Sequence, residues 1–416
     1  MRTCVISQYF PPDAGGASTR ASNVVKSLTE GGNQVTVITA FPHYPSGNIP
    51  KEYQRKLLSV EEFHKARVIR VWMPAIAHEG VIKRLIMYAT FALSALMALP
   101  LCRGIKVTWA MSPNYLCMIP ATAQKLVTKS KVVHDVVDIW PDALKATSYR
   151  FPTLLLRIVS MISHVSYNFS DIVTTISLSL RGTLRKIVPK SVDVKVVDNC
   201  VASEFFLVPP RTRRETFRVM YLGTLGPSND FETLIEAASK LGHDSLVSFT
   251  IAGAGESLLS IRTSIVEKHI ENIQLYGEPI RHEEVPEWLE QADALILPLR
   301  SGFGDTSFPS KLGEYLASGR PVIITADGML ANEIKSKGVA LVIAPSDVYG
   351  LVESISMLRR DNELYDKLCS TGREYAKDHL CFESLDENVE SVIQLAWKRK
   401  APRNKSNEGD ETERRF

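Results

Sequence analysis

The sequence lacks the short motifs that mark many enzyme classes. It contains no P-loop, HExxH or GxSxG pattern, and IAGAGES, from Ile251 to Ser257, is not a full dinucleotide fingerprint. The cysteines form no CxxC pair and no metal-like cluster, which is typical of buried thiols in a reducing compartment. They are Cys4, Cys102, Cys117, Cys200, Cys369 and Cys381. We therefore expect no metal site and no disulfide framework.

The N-terminus has little of what a signal peptide requires. MRTCVISQYF carries one basic residue and too short an apolar run, which predicts a cytoplasmic protein. Acidic residues are scarce in the first half. Positions 1–200 hold 24 Lys and Arg against 12 Asp and Glu, whereas the remainder holds 25 against 34. A basic half attracts phosphates, nucleic acid or an anionic membrane surface. The basic half lacks aromatic residues interleaved with its cations and lacks a helix suited to contact nucleic-acid bases, so we expect no nucleic acid partner.

One segment carries no charge over 18 residues, from Leu85 to Cys102, with Lys83, Arg84 and Arg103 at its ends. This length is at the low edge of what spans a membrane. A buried helix, a helix half-sunk in the membrane surface and a true span all remain open. The neighbouring strands, ARVIRVWMP and IKVTWAMSP, are predicted in one sheet, which argues against the span.

The rest of the chain alternates short Val- and Ile-rich strands with helical segments, the pattern of parallel sheets covered on both faces. Its 416 residues suffice for two or three domains. The pattern lapses from Val201 to Arg214, which we interpret as a linker. The predicted fold class is α/β, with two Rossmann-like domains that present their strand ends to a shared cleft. The expected divisions are a first domain at 1–200, a second at 215–365, C-terminal helices at 366–398 and a disordered tail at 399–416.

The first candidate site is YFPPDAGGASTR, at the end of the first strand. Gly15 and Gly16 allow the backbone to approach a ligand closely. Arg20 lies one turn into a helix predicted from Thr19 to Glu30, where it can point at an anion. The motif fits an anion or sugar contact, and it fits a plain strand-to-helix turn equally well.

The second candidate site is KVVHDVVDIWPDAL. Asp138 is predicted at the end of an apolar strand, with its carboxylate facing the cleft, and we favour a functional role for it over a structural one. His134 and Asp135 fall inside the strand, where His134 is expected to be packed or hydrogen-bonded. Asp142 fits a helix N-cap as well as a ligand.

The third candidate site is FPSKLGEYLASGRPVI. It places Lys311 and Glu314 on one side of a helix that begins near Ser310. The helix amides and the lysine charge suit a phosphate, and the carboxylate can accept hydrogen bonds from a diol such as ribose. An ordinary surface pair is the alternative, but the small-residue loop before the helix and the apolar strand after it argue against that. A weaker glycine turn, YLGTLG, follows another strand.

Together these residues resemble the retaining glycosyltransferases of family 4, which have the two-domain GT-B fold. The resemblance covers roughly Cys4 to Trp397 and is strongest to the bacterial O-antigen and capsule subgroup similar to N-acetylfucosamine transferases. Four motifs carry it in the right order: YFPPD with a later Arg, PHYPSG, DIWP and PSKLGEYLASGRPVI. It also implies that the helices of 366–398 cross back to the first domain.

The resemblance implies a nucleotide-sugar donor, with UDP as the expected nucleotide, and no cofactor or metal ion. In the second domain, Glu314 would bind the ribose, Lys311 and the loop before it the diphosphate, and the main chain near Glu278 to Ile280 the base. The implied donor-binding residues are Gly223, Thr224, Arg300, Gly304, Thr306, Ser307, Phe308, Pro309, Ser310, Lys311 and Glu314.

In the first domain, the resemblance makes Asp138 the catalytic residue, since many relatives keep a His or Asp there. The acceptor would dock at Gly15, Gly16, Arg20 and His43. The expected acceptor is a polyprenyl-diphosphate-linked glycan at the cytoplasmic face of an anionic membrane, next to the helix near 85–102. The expected sugar is an N-acetylated hexosamine or deoxyhexosamine, in polysaccharide, O-antigen or glycoprotein glycan assembly.

The sequence departs from the family pattern at two places. Many members carry two glutamates, whereas here Thr306 stands at the first position and Glu314 at the second. Many also have an Arg and a Lys where this chain has Thr224 and the run GPSND. Two other functions remain open: a nucleotide-sugar 2-epimerase of the same fold, and a sugar-nucleotide-binding scaffold without catalysis. The departures favour the scaffold slightly, whereas intact Lys311 and Asp138 oppose it.

Overall fold

Runs of Val, Ile and Thr form a first parallel sheet in a computed structural model, which describes residues 1–13, 15–44, 47–75, 81–145, 151–211, 215–242, 246–306 and 308–398. Its strands are β1 (Arg2–Ile6), β2 (Gln34–Ala40), β3 (Leu58–Phe63), β4 (Ala66–Val71), β5 (Val107–Met111), β6 (Lys131–Asp135), β7 (Ile172–Thr175) and β8 (Asp193–Val196). They lie in the order β3-β4-β2-β1-β5-β6-β7-β8. The β3–β4 pair is antiparallel and the other pairs are parallel.

A second sheet follows, with six strands that all pair in parallel. Its strands are β9 (Phe217–Leu222), β10 (Val247–Ala252), β11 (Ile273–Tyr276), β12 (Ala294–Pro298), β13 (Val322–Thr325) and β14 (Leu341–Ile343). They lie in the order β11-β10-β9-β12-β13-β14. The strand order reverses direction at β9 and β12, and ligands of open parallel sheets bind beyond the carboxyl ends of strands at such a point.

Helices connect the strands and cover both faces of each sheet. In the first half they are α1 (Gly16–Glu30), α2 (Val81–Ala98), α3 (Met118–Thr128), α4 (Asp142–Lys145), α5 (Thr153–Phe169) and α6 (Leu178–Ile187). In the second half they are α7 (Phe231–Lys240), α8 (Leu258–Glu267), α9 (Val285–Glu290), α10 (Lys311–Ala317), α11 (Gly328–Lys337), α12 (Val348–Arg360), α13 (Asn362–His379) and α14 (Phe382–Lys398). Short 3-10 helices lie at Lys51–Tyr53, Leu99–Leu101, Tyr115–Cys117, Ser203–Leu207 and His282–Glu284.

The last helix leaves the second half of the molecule and returns to the first. Leu385, Val389 and Val392 of α14 pack in the same core cluster as β1 and α1 of the first sheet. In the stretch interpreted as a linker, Phe205 is buried in the core of the second half. The two halves are therefore joined by two crossings of the chain, one near Val201 and one between α13 and α14.

The uncharged segment forms α2 and the 3-10 turn after it. Met87, Phe91 and Ala95 are buried against the first sheet, whereas Leu93 and Met97 on the other side of the helix are exposed. Residues 83–101 are long and apolar enough to cross a membrane by length and composition. The strands on either side of α2, β4 and β5, nevertheless belong to one sheet. A helix with one side packed on that sheet is not compatible with a span.

Two predicted boundaries are wrong. Helix α1 begins at Gly16 rather than at Thr19. Strand β6 ends at Asp135, so Asp138 lies in the loop beyond the strand rather than at its end. The neighbouring strand reaches Pro113 two residues after its last pairing position, and a proline has no N–H to continue the ladder. The predicted tail, 399–416, lies outside the described residues.

Candidate active site in the cleft between the sheets

A cavity of about 1090 Å³ lies between the carboxyl ends of the two sheets. Residues that follow strands line it, as expected for parallel sheets that face each other. From the candidate sites, the lining residues are Gly15, Gly16, Arg20, Gly223, Thr224, Phe308, Ser310, Lys311 and Glu314. The structure thus brings together motifs that lie about 300 positions apart in the sequence.

The turn after β9 is built for close approach of the chain. Gly223 has φ 131°, in the region that favours glycine, and a Cβ there would overlap the Lys311 side chain. A Cβ on Gly253, after the next strand, would overlap the carbonyl oxygen of Gly223. The lysine therefore lies directly over a backbone that carries no side chain, in the lining of the cavity.

Lys311 is the first residue of α10, as the sequence predicted. Burial in the cleft lowers the pKa of its ammonium, and the nearby Glu314 carboxylate raises it by a smaller amount. Its Nζ lies 5.8 Å from the centre of the Tyr221 ring. Because α10 has only seven residues, the positive field at its start comes mainly from Lys311. A desolvated cation of this kind gains most from an anionic ligand.

Glu314 is held by a residue that the sequence analysis did not identify. Its Oε1 lies 3.2 Å from His282 Nε2, and this hydrogen bond raises the pKa of the His282 imidazole. The imidazole also makes an edge-on contact with the Phe205 ring, with 5.2 Å between ring centres. His282 follows by two residues the stretch expected to meet the base, and Ile280 and His282 both line the cavity. One carboxylate oxygen of Glu314 is thus oriented, and the described residues make no hydrogen bond to the other.

The loop before α10 ties the two halves of the molecule together. The carbonyl oxygen of Thr306 accepts a 2.9 Å hydrogen bond from the N–H of Ile139, in the DIWP motif. The Thr306 hydroxyl donates to Phe303 within its own loop. Asp305 accepts the N–H of Met329, and its carbonyl oxygen accepts the Thr183 hydroxyl from the first half. Thr306, which stands where many family members have a glutamate, therefore stabilises its own loop and the contact between the two halves.

Some of the remaining residues of this loop line the cavity, and others lie outside its lining. Phe308 and Ser310 line the cavity, and Pro309 is buried behind them. Arg300 is exposed and outside the lining, with its Nε donating to the carbonyl oxygen of Pro227. Ser307 lies outside the described residues.

Asp138 lies beside the cavity rather than in its described lining. It is half-buried, and its carbonyl oxygen accepts a 2.7 Å hydrogen bond from the Tyr115 hydroxyl. Burial is the main cause that raises the pKa values of Tyr88 and Tyr115, and the negative charge of the Asp138 carboxylate raises them further. Asp142 is the first residue of α4 and pairs with Lys145 at 2.7 Å. The DIWP motif thus places Asp138 next to the hydrogen bond between Ile139 and the loop before α10.

Arg20 reaches the cavity, but its charge is already balanced. The guanidinium donates to both carboxylate oxygens of Asp135, at 2.6 and 2.8 Å, and to Asn199 at 2.9 Å. Asp135 is thus the satisfied buried acid of its strand. His134 beside it is buried against Tyr167, and burial lowers its pKa to about 4. These groups form a buried hydrogen-bonded network at the cavity rather than an open anion site.

His43 is buried behind the cavity, and the next residue, Tyr44, forms the wall. The main-chain N–H groups of His43 and Tyr44 both donate to the Asp13 carboxylate, and the imidazole stacks on Tyr9 with 5.3 Å between ring centres. A Cβ on Gly15 would lie 3.3 Å from the Tyr44 ring. His43 therefore positions the wall of the cavity on the side of the first sheet.

Residues 207–375 match the family model of glycosyl transferases group 1. The chain contains a glycosyltransferase group 1 domain. This domain extends from the linker to α13 and includes the Gly223 turn, Lys311 and Glu314. The family match thus covers the side of the cleft formed by the second sheet.

Whole-chain relatives agree with this domain. The chain is 24% identical over 410 residues to WcaI of Escherichia coli (strain K12), and the match covers 92% of this chain and 98% of that protein. WcaI is named as a putative glycosyl transferase of colanic acid biosynthesis. Sucrose-phosphate synthase from Thermosynechococcus elongatus superposes with a TM-score of 0.75 at 15% identity, covering 95% and 98% of the two chains. Anabaena Alr3699/HepE, solved with UDP and glucose, gives 0.66 at 14%, covering 95% and 100%. These structures confirm the predicted GT-B fold.

Proposed function

We propose that the protein is a retaining, metal-independent glycosyltransferase that moves a sugar from a UDP-sugar to a polyprenyl-diphosphate-linked glycan. The observation that carries the proposal is the position of Lys311, desolvated over the side-chain-free Gly223 turn, with Glu314 one helical turn away on the same cavity wall. One cation for a diphosphate and one oriented carboxylate for a diol match the two ends of a nucleoside diphosphate.

The choice of UDP rests on the base end of the cavity and on a structural neighbour. Ile280 and His282 line the cavity beyond Glu314, where a base attached to the bound ribose would lie. HepE, which shares the fold, is solved with UDP and glucose. We take the sugar to be an N-acetylated hexosamine or deoxyhexosamine.

In the proposed reaction, the bond between the anomeric carbon and the phosphate oxygen breaks, and the acceptor hydroxyl attacks on the same face. The departing phosphate takes the proton of that hydroxyl, so the step is balanced without another base. Negative charge builds on the phosphate, and a preorganised cation that meets this charge contributes most of the stabilisation. Lys311 supplies it, while Asp138 orients the sugar or steadies positive charge at its ring.

The acceptor side of the proposal rests on the first half of the molecule. Its excess of basic residues suits a diphosphate, and the exposed outer side of α2 suits a lipid surface. WcaI, which this chain resembles over 92% of its length, is named for a putative role in colanic acid biosynthesis. We therefore place the reaction in polysaccharide or O-antigen assembly at the cytoplasmic face of the membrane.

A binding scaffold without catalysis is the second candidate, because Thr306 replaces the first glutamate and bonds to its own loop. The test is nucleoside-diphosphate release from a panel of UDP-, GDP- and dTDP-sugars, with and without a polyprenyl-diphosphate-sugar acceptor. Acceptor-dependent release from one UDP-sugar is the expected result. Binding without release by the wild type would favour the scaffold, and conversion of a donor to its C2 epimer without acceptor would identify an epimerase.

An Asp138→Ala variant sharpens this test. We expect it to bind the donor as the wild type does and to lose transfer, because Asp138 lies beside the cavity and not in the donor lining. Full transfer by this variant would remove Asp138 from the mechanism and leave the rest of the proposal standing.

A further inference from the structure

Helix α5 presents an apolar stripe to solvent that the glycosyl transfer does not use. Leu154, Ile158, Met161, Val165 and Phe169 recur at helical spacing and are all exposed, Leu154 by 69% and Met161 by 61%. Only the opposite side of the helix, with Val159, Ser163 and Tyr167, is buried. An amphipathic helix normally turns its apolar side to the core, so an apolar stripe on the outside needs another partner.

The stripe continues onto two neighbouring helices. On α2, Leu93 and Met97 are exposed by 63% and 76%, and on α3, Leu126 and Val127 are exposed by 74% and 82%. Exposed apolar residues on three helices of one sheet face are a much larger feature than a single exposed side chain, which would need no explanation.

These helices lie on one side of the first sheet. Inward-facing residues of α2 and α3 share a core cluster with Val132 of β6. His134, two residues further along the same strand and so on the same face, meets Ser166 of α5. Lys125 of α3 donates to the carbonyl oxygen of Phe169 at the end of α5, which links the two stripes.

The charge carried by the three helices is of one sign. None of the three helices, VIKRLIMYATFALSALMA, MIPATAQKLVT and TLLLRIVSMISHVSYNF, contains an Asp or Glu. The exposed charged residues at or beside the stripes are Lys83, Arg84, Arg103, Lys129 and Arg157. Exposed apolar groups rimmed by cations match the acyl chains and anionic headgroups of a lipid surface. A second copy of this chain would bring like charges together.

We propose that the outer faces of α2, α3 and α5 together form a docking surface for an anionic bilayer, with the three helices lying in the plane of the interface. Helices that follow parallel strands begin at the carboxyl edge of the sheet, so the cleft opens along the edge of this surface. A lipid-linked acceptor would then enter from the side of the membrane, a consequence that rests on the proposed function. The docking itself does not depend on catalysis.

The test uses the full chain and two matched double variants. Leu154→Glu with Met161→Glu places two acids on α5, seven residues apart. Leu259→Glu with Val266→Glu does the same on α8 in the other half of the molecule, at side chains that are 75% and 66% exposed. Both pairs keep the helix and change the net charge equally.

The measurement is cosedimentation with vesicles of phosphatidylglycerol and phosphatidylethanolamine, with phosphatidylcholine vesicles for comparison. We expect the wild type and the α8 variant to pellet with the anionic vesicles only, and the α5 variant to bind at least about tenfold more weakly. Equal binding by both variants, or no binding by the wild type, would overturn the proposal. So would an unchanged vesicle affinity together with loss of a dimer in the α5 variant, which would identify a second copy as the occupant. UDP binding by both variants checks that they are folded and keeps this test separate from that of the transfer reaction.

Discussion

The two halves of the cleft differ in whether protein groups compensate a buried positive charge. In the first half, the Arg20 guanidinium is hydrogen-bonded to Asp135 and Asn199, so its charge is compensated within the protein. In the second half, Lys311 lies over bare backbone, and no hydrogen bond or ion pair to its Nζ occurs among the described residues. The same type of charge therefore serves structure in one half and a ligand in the other, and local partners decide which.

The largest expected effect comes from breaking the structural pair. Arg20→Met leaves the Asp135 carboxylate buried without its partner, and removal of one member of such a pair costs about 3–5 kcal/mol of unfolding free energy. The control is Lys26→Met on the same helix, which removes the exposed Lys26–Glu30 pair and the contact of the ammonium with the Phe382 ring and costs at most about 1–2 kcal/mol in total. Denaturant unfolding measures both, and equal losses would remove the contrast between the two kinds of cation.

The opposite behaviour is expected of Lys311→Met. Transfer falls by about 10²–10³ in kcat/KM, because one preorganised charge no longer meets the leaving phosphate. The melting temperature stays the same or rises, since a desolvated ammonium is replaced by an apolar side chain of similar length. Lys335→Met, on the exposed surface of α11, is the control for loss of a charge. Destabilisation by Lys311→Met with normal turnover would assign this lysine to structure.

A smaller effect is expected from adding a methyl group beside this lysine. Gly223→Ala strains a backbone at φ 131° and pushes against the Lys311 side chain, so both stability and UDP affinity fall. Gly302→Ala strains a backbone at φ 79°, where a Cβ meets nothing within 4 Å. We expect similar losses of stability, about 1–2 kcal/mol each, and a loss of UDP affinity for Gly223→Ala alone. Calorimetric titration with UDP separates the two.

The smallest effect concerns pH. The Glu314 bond raises the pKa of His282 above its ordinary value of 6.5, so the paired, protonated imidazole contributes stability that is complete below about pH 6.5 and is lost as the pH rises through the raised pKa. The pair is half-exposed, so about 0.2–1 kcal/mol is expected. His282→Gln should therefore be less stable than the wild type at pH 6 and equal to it at high pH. A difference that grows with pH would contradict this assignment.

Sequence patterns predicted the local structure around the second half of the cleft better than the contacts in the first half. Lys311, Glu314 and the Gly223 turn follow directly after strands or begin a helix, and such positions can be read from the order of residues. Arg20 looked like an anion ligand for the same reason. Its partner Asp135 is 115 residues away, and only the pairing of β1, β5 and β6 brings the two together.

Other features had little sequence signal. The β3–β4 hairpin was not predicted, because its turn residues, His64 and Lys65, adopt positive φ without the usual Asn-Gly. The pairing of His282 with Glu314 joins a short 3-10 helix to α10, 32 residues later. The outward stripe of α5 has the same periodicity as an inward one, so the sequence alone does not show which side of a helix faces the sheet.

The most direct test of the central claim is the affinity for UDP, measured by calorimetric titration of the wild type, Lys311→Met and Lys335→Met. The account predicts that UDP binds the wild type and Lys335→Met equally and binds Lys311→Met at least about tenfold more weakly, a difference of about 1.4 kcal/mol. Equal affinity for all three proteins would contradict the claim that the uncompensated cation of the second half is the diphosphate site.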